Sequence, residues 1–181
     1  MYLFLKRLFD LVCSSLALLV LLPIFIPVVI LLLLTGEHEV FYFQKRIGKG
    51  SNYFDIWKFA TMLKNSPNLG TGMITLRNDP RVTPLGRFLR KSKINELPQI
   101  INIILGDMSL VGPRPLLFEY LELYDHFQRR RPEALPGITG WAQVNAKYGM
   151  TQEDALEKLQ YDLYYIKRRS LFLDISIVIK T

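Results

Sequence analysis

The hydrophobic and polar positions divide the chain into three textures. From Leu8 to Leu34 nearly every residue is apolar and Asp10 is the only charge, so a single long helix is expected there. At about 1.5 Å per helical residue this run is longer than the roughly 30 Å hydrocarbon core of a bilayer. After Thr35-Gly36 the pattern shortens to aromatic and β-branched stretches, Val40 to Gln44 and Tyr53 to Phe59, separated by Gly48-Lys49-Gly50-Ser51-Asn52. That reads as a small β-hairpin. Leu63 to Pro84 is rich in Asn, Gly and Pro and long for a plain connection, which suits a lid or a substrate-contacting loop.

The remainder is punctuated helix. Thr83-Pro84 is an N-cap and first-turn pair for a helix with Arg87 and Arg90 on one face and Leu85, Phe88 and Leu89 on the other. Pro98 suits the first turn of a second helix through Ile100, Ile103 and Leu105, leaving Asn95 and Glu96 exposed at its start. Leu116 to Arg131 is expected to be helical, and Leu135 to Asn145 turn-rich. Thr151 caps a helix whose core stripe is Leu156, Leu159, Leu163 and Ile166, while Leu171 to Ile179 is apolar but too short to span. The expected fold is α+β and mostly helical. A membrane anchor helix occupies residues 1–35, and a cytosolic, membrane-associated catalytic part with a small hairpin and interfacial amphipathic helices occupies 36–181.

Three features bear on the anchor. It has no small-residue cleavage site, Pro23 and Pro27 interrupt its middle, and basic residues flank it on both sides: Lys6 and Arg7 before, Lys45, Arg46 and Lys49 after. A re-entrant helix broken near Pro23, with both flanks in the cytoplasm, accommodates all three; a kinked span with the N-terminus outside is the alternative. Cys13, the only cysteine, lies inside this run and excludes an intrachain disulfide.

Half of the 181 residues are hydrophobic and the net charge is +7, which together point to an anionic surface or substrate. Arg87, Arg90 and Arg114 beside Glu96 suit phosphate and the hard cation that accompanies it. On those residues alone a solvated helix start is the simpler reading. Arg129-Arg130-Arg131 suits anionic headgroups, and without a recognition helix or an aromatic RNA-binding pattern nucleic acid is not expected as a partner.

The stretch Gly86 to Pro115 resembles the bacterial sugar transferase family, the small monotopic phosphoglycosyl transferases. Leu97-Pro98-Gln99, Gly106-Asp107-Met108-Ser109 and Gly112-Pro113-Arg114-Pro115 carry the likeness, as do Lys58-Phe59-Ala60-Thr61-Met62, Asn78-Asp79-Pro80-Arg81 and Leu135 to Asn145. The resemblance implies transfer of a sugar-1-phosphate from a UDP-sugar to a membrane polyprenol phosphate of the undecaprenyl type. UMP leaves and Mg²⁺ assists, the initiating step of bacterial surface glycan assembly. It further implies a re-entrant anchor at the cytoplasmic face of the inner membrane, in contact with that leaflet's lipids; further chain beyond Thr181; and a homodimer left open as oligomeric state. Carried onto this sequence, Glu96 is the metal ligand and a catalytic residue, and Lys58, Arg87, Arg90 and Arg114 bind substrate phosphate. Arg77, Arg81 and Gln143 become substrate contacts. Two positions depart from the pattern. Ala60 stands where the family usually has a basic residue, and Asn95 where it has the nucleophilic Asp of an Asp-Glu pair. A carboxamide cannot attack as that carboxylate does. The alternatives are therefore an active enzyme using Glu96 or direct in-line transfer, a catalytically impaired member, or a membrane-attached nucleotide-sugar-binding or scaffolding protein.

Overall fold

A computed structural model of the protein describes residues 1–69, 76, 78–118, 122, 125–146 and 151–181. Its elements are α1 (Tyr2–Leu34), β1 (Phe41–Ile47), β2 (Tyr53–Phe59), α2 (Pro84–Lys91), α3 (Gln99–Leu105), β3 (Ser109–Val111), β4 (Gly137–Thr139), α4 (Trp141–Asn145), α5 (Gln152–Arg168) and α6 (Leu171–Lys180). The mostly helical α+β class is as expected, and the hairpin appears as the β1–β2 sheet. A second sheet lies outside the expectation: β3 and β4 pair in parallel, Ser109 opposite Gly137 and Val111 opposite Thr139.

The chain folds as two compact units. One comprises Met1–Leu16, Lys45–Ile56 and Ile101–Thr181; the other comprises Ala17–Gln44 and Trp57–Ile100. This division cuts through α1, because the two halves of the helix pack on different stretches of chain.

In the first unit, Val111, Ala134, Tyr165, Ile166 and Ile177 form one core cluster and Phe54, Ile56, Ile103 and Met108 another. The phrase Gly106-Asp107-Met108-Ser109 is a helix stop. Gly106 takes φ 101°, and the amides of Gly106, Asp107 and Met108 donate to the carbonyl of Asn102 at 3.0, 3.0 and 3.2 Å. Met108 is thereby dropped into the core and Ser109 begins β3. Arg7 completes the stop, donating to the carbonyls of Ile103 and Ile104 at 2.6 and 2.9 Å. Lys6 is buried and ion-paired to Asp174 at 3.0 Å and Asp10 at 3.8 Å, while Asp174 accepts from the Tyr165 and Tyr2 hydroxyls at 2.7 and 3.0 Å. Lys6 and Arg7 thus also serve as packing residues, since a buried ammonium needs carboxylate partners.

In the second unit, Phe25, Val28 and Leu32 of α1 form a cluster with Phe59 of β2 and Leu89 of α2. The rings of Phe25 and Phe59 meet edge to face at 5.3 Å. The expected break near Pro23 does not divide α1 into two helices: one helix runs from Tyr2 to Leu34 with Pro23 and Pro27 inside it. Each proline removes a single donor, and the turns on either side carry the helix through.

Two further expectations are corrected. Of the helix expected over residues 116–131, the described residues show instead an antiparallel bridge between Leu117 and Arg46 and a 3-10 turn over Gln128–Glu133. The amide of Ile47, donating to the Leu116 carbonyl at 3.0 Å, keeps that start extended. The turn-rich stretch after Leu135 is β4 followed by the single-turn helix α4.

Candidate active site

The site is built at the base of α2, in the second unit. Directly after β2 the chain pairs with the end of the long loop: Met62 bridges Val82, the Leu63 amide donates to Arg81 at 2.9 Å, and the Thr83 amide donates to Thr61 at 3.0 Å. Thr83 then caps α2, its Oγ1 accepting from the Gly86 amide at 3.0 Å, with Pro84 in the first turn as the sequence indicates. The helix buries Leu89 completely and sets Arg90 over the polar strip beside it. Nε of Arg90 donates to Thr61 Oγ1 at 2.9 Å. Burial lowers the Arg90 pKa, and the charges of Asp79, Arg81, Glu96 and Tyr42 act on it as well. The guanidinium stays ionised all the same, because its intrinsic value is so high. Arg87, on the same helix, is exposed.

Beyond α2 the chain reverses at Lys93, which sits at φ 62°, and forms a 3-10 turn over Ile94–Glu96. Its bond from the Leu97 amide to the Ile94 carbonyl at 3.1 Å folds both apolar side chains onto the cluster of Phe59 and Leu89. Asn95 is buried and Glu96 half-buried. The expectation that both stand exposed at a helix start is therefore corrected: they occupy a separate turn ahead of α3, and packing Ile94 and Leu97 carries Asn95 inward.

Arg81 proves to be the clamp of the long loop. It donates through Nε and Nη2 to the two carboxylate oxygens of Asp79 at 2.9 and 2.6 Å, and through Nη1 to the carbonyls of Ser66 and Leu69 at 2.7 and 2.6 Å. Only 6 % of Arg81 is exposed, and these bonds hold the loop. Its hydrogen bonds hold the Asp79 carboxyl well below the usual carboxylate range. Arg77 lies outside the described residues. Lys58 is half-buried on β2. Arg114 and Gln143 belong to the first unit: Arg114 is exposed on the turn after β3, and Gln143 on α4 donates Nε2 to the Ile138 carbonyl at 2.9 Å. The arginine cluster is partly consumed internally, with Arg130 paired to Glu133 at 2.9 Å and Arg131 to Asp162 at 2.6 Å.

The structure thus sets Arg90 against Thr61, with the charges of Glu96, Asp79 and Tyr42 acting on it and Asn95 in the same turn as Glu96; Thr61, Tyr42 and Asp79 are not among the site residues expected from the sequence. Only Asp79 had a local signal, an opposite charge two residues before Arg81. Among the described residues no three Asp, Glu, His or Cys side chains gather as a metal cluster. Magnesium that travels with phosphates needs only one or two protein carboxylates, the substrate and water completing its oxygen shell. Glu96 meets that need; Asp79, with both oxygens bound to Arg81, does not. A half-buried guanidinium near a carboxylate is suited to taking a phosphate and its cation together.

A model of the family described as bacterial sugar transferase matches residues 1–181. The UDP-N-acetylgalactosamine-undecaprenyl-phosphate N-acetylgalactosaminephosphotransferase of Aeromonas hydrophila is 39 % identical over 99 % of this chain and 43 % of its own length. The undecaprenyl-phosphate glucose phosphotransferase of Komagataeibacter xylinus is 41 % identical over 97 % of this chain and 35 % of its own. The exopolysaccharide production protein ExoY of Rhizobium meliloti is 36 % identical over 97 % of this chain and 83 % of its own. The chain therefore spans less than half of the first two relatives and most of the third.

Proposed function

The chain belongs to the bacterial sugar transferase family, and from that premise we propose that it is a phosphoglycosyl transferase. It moves a sugar-1-phosphate from a UDP-sugar to a polyprenol phosphate of the undecaprenyl type, releases UMP, and so initiates assembly of a surface glycan. Relatives named for transfer to undecaprenyl phosphate support this reading. The observation in this chain that carries it is Arg90, half-buried at the base of α2 and hydrogen-bonded to Thr61, in the same unit as the half-buried Glu96.

In the proposed reaction an oxygen of the lipid phosphate attacks the β-phosphorus of the UDP-sugar. The bond from that phosphorus to the oxygen bridging the α-phosphorus breaks, and UMP departs with that oxygen. Direct in-line displacement asks the protein for positioning and charge stabilisation rather than a nucleophile, which accommodates a carboxamide at position 95. Arg90 and Lys58 balance charge on the phosphoryl oxygens. Glu96 would hold Mg²⁺ with the diphosphate, and the bound ion would offset the charge of those oxygens.

The protein works at the cytoplasmic face of the inner membrane, monotopic and in contact with that leaflet's lipids. Support comes from α1, each half of which packs within a folded unit while large apolar residues such as Leu16, Leu19, Val20 and Ile26 remain exposed.

UMP release from UDP-sugars with polyprenol phosphate and Mg²⁺ tests the reaction. The parent protein should turn over, Glu96→Gln should lower the rate by about 100-fold or more, and chelation of Mg²⁺ should stop it. Asn95 itself favours a second reading, a form that binds substrate without transfer. A silent parent beside an active Asn95→Asp variant would establish that one instead.

A further inference from the structure

We propose that Thr61 is the positioning residue of the Arg90 site: its hydroxyl occupies the Nε–H of Arg90 and holds the guanidinium so that a phosphate group is taken end-on, by Nη1 and Nη2. Which phosphate this is, one of the nucleotide sugar or that of the polyprenol, rests on the transferase reading.

Thr61 is 6 % exposed and lies just beyond the end of β2. It fastens α2 at both ends. Its carbonyl accepts from the Thr83 amide at 3.0 Å and from Thr83 Oγ1 at 3.4 Å, which ties down the start of the helix. Its hydroxyl accepts from Nε of Arg90, in the last turn, at 2.9 Å. Gly86 admits this close approach, because a Cβ there would collide with the Thr61 carbonyl. Long side chains on a helix run back toward its N-terminus, and Gly86, one turn before Arg90, leaves that path clear.

A guanidinium is a planar fork of N–H donors. It can present either the edge carrying Nε and one Nη or the end carrying both Nη atoms. With Nε given to Thr61, the edge is closed. Among the described residues Nη1 and Nη2 of Arg90 make no hydrogen bond and no carboxylate is ion-paired to it; Asp79 and Glu96 act on its charge from a distance. A half-buried cation in that state is well matched to an anion that accepts two parallel bonds. Arg81 shows the contrast, since its Nε, Nη1 and Nη2 all donate within its own loop. Thr61 restricts the Arg90 side chain before a ligand arrives, so less rotamer freedom is lost on binding. A neutral hydroxyl suits the task, because a carboxylate in its place would cancel the charge that the phosphate needs.

The test uses the full chain in detergent and four variants. Thr61→Val keeps the shape and loses the acceptor, Thr61→Ser keeps the hydroxyl, and Arg90→Lys is made alone and together with Thr61→Val. Binding of UDP with Mg²⁺ and of farnesyl phosphate is measured by calorimetry, independently of turnover. The expected result is that the parent binds at least one probe, that Thr61→Val weakens this about tenfold or more, and that Thr61→Ser stays within about twofold of the parent. Lysine is a point charge with no fork to orient, so in the Arg90→Lys background Thr61→Val should change binding by less than about twofold. The probe that loses affinity identifies the phosphate, UDP for the nucleotide sugar and farnesyl phosphate for the polyprenol. A Thr61→Val protein that binds both probes like the parent overturns the proposal. So does an equal loss in the Arg90→Lys background, a Thr61→Ser protein as weak as Thr61→Val, or a parent that binds neither probe. A parent that binds a probe yet releases no UMP, either as it stands or as Asn95→Asp, sinks the transferase reading and leaves the role of Thr61 standing.

Discussion

Arginines in this chain do two kinds of work that their positions in the sequence do not distinguish. Arg90 meets Thr61 with the charge of Glu96 acting on it, whereas Arg81 binds Asp79 and carbonyls of its own loop and Arg131 a carboxylate from another helix. Partners, not neighbours in sequence, make the difference. The Asp79–Arg81 clamp yields a pH prediction. Hydrogen bonds from Arg81 hold the folded Asp79 below its unfolded value, so the stabilisation is complete above that value and fades only as the pH falls below it. With an unfolded value of about 3.9, the Tm difference between the parent and Asp79→Asn should stay constant from about pH 8 to 5 and shrink below about pH 4. A difference that is already closing between pH 7 and 5 would refute the clamp as drawn.

At the scale of elements, the parallel β3–β4 pair decides where Arg114 stands. Gly112 donates to Thr139 and Gly137 to Pro113, both at 2.9 Å. A Cβ at Gly112 would collide with the Leu135 carbonyl and approach the Gly137 amide to 2.9 Å. Because backbone rather than a flexible side chain would have to move, Gly112→Ala should cost about 3 kcal/mol, on the order of 10 °C in Tm, as read by thermal unfolding in detergent. A Tm within error of the parent would mean the strands have room to separate. This pair also shows what the sequence hides. The β1–β2 hairpin was legible because its aromatic and β-branched runs flank a glycine turn, and α2 and α5 because Thr83 and Thr151 cap them in the expected way. Strands of three residues carry too little alternation to read, and β3 meets β4 only after a long intervening segment. The site divides along the same line. Glu96 and Arg90 stand in a recognisable motif, while Thr61 and Tyr42 come from other parts of the chain, and their relation to Arg90 becomes visible only once it has folded.

For the whole molecule the governing feature is α1, 33 residues and so roughly 50 Å long, whose two halves belong to different folded units. Leu3, Phe4, Leu8 and Val12 in its first half, and Ile24, Ile26 and Ile30 in its second, are exposed apolar side chains that water would penalise. Its start is nevertheless tied down by protein, through Lys6 to Asp174 and Arg7 to the end of α3, and its later turns pack on Phe59 and Leu89. A helix crossing the bilayer with its N-terminus outside would have to break the Lys6 and Arg7 contacts, stranding a buried Asp174. The same contacts therefore favour an anchor seated in one leaflet. In a Cys13→Ser background, a cysteine placed directly after Met1 and a Lys64→Cys substitution should both react with a membrane-impermeant maleimide in inverted inner-membrane vesicles, and neither should react in intact spheroplasts. Labelling of the N-terminal cysteine from outside, with Lys64→Cys still reacting only from within, would show a span, and the Lys6–Asp174 pair could not then exist in the membrane-bound protein.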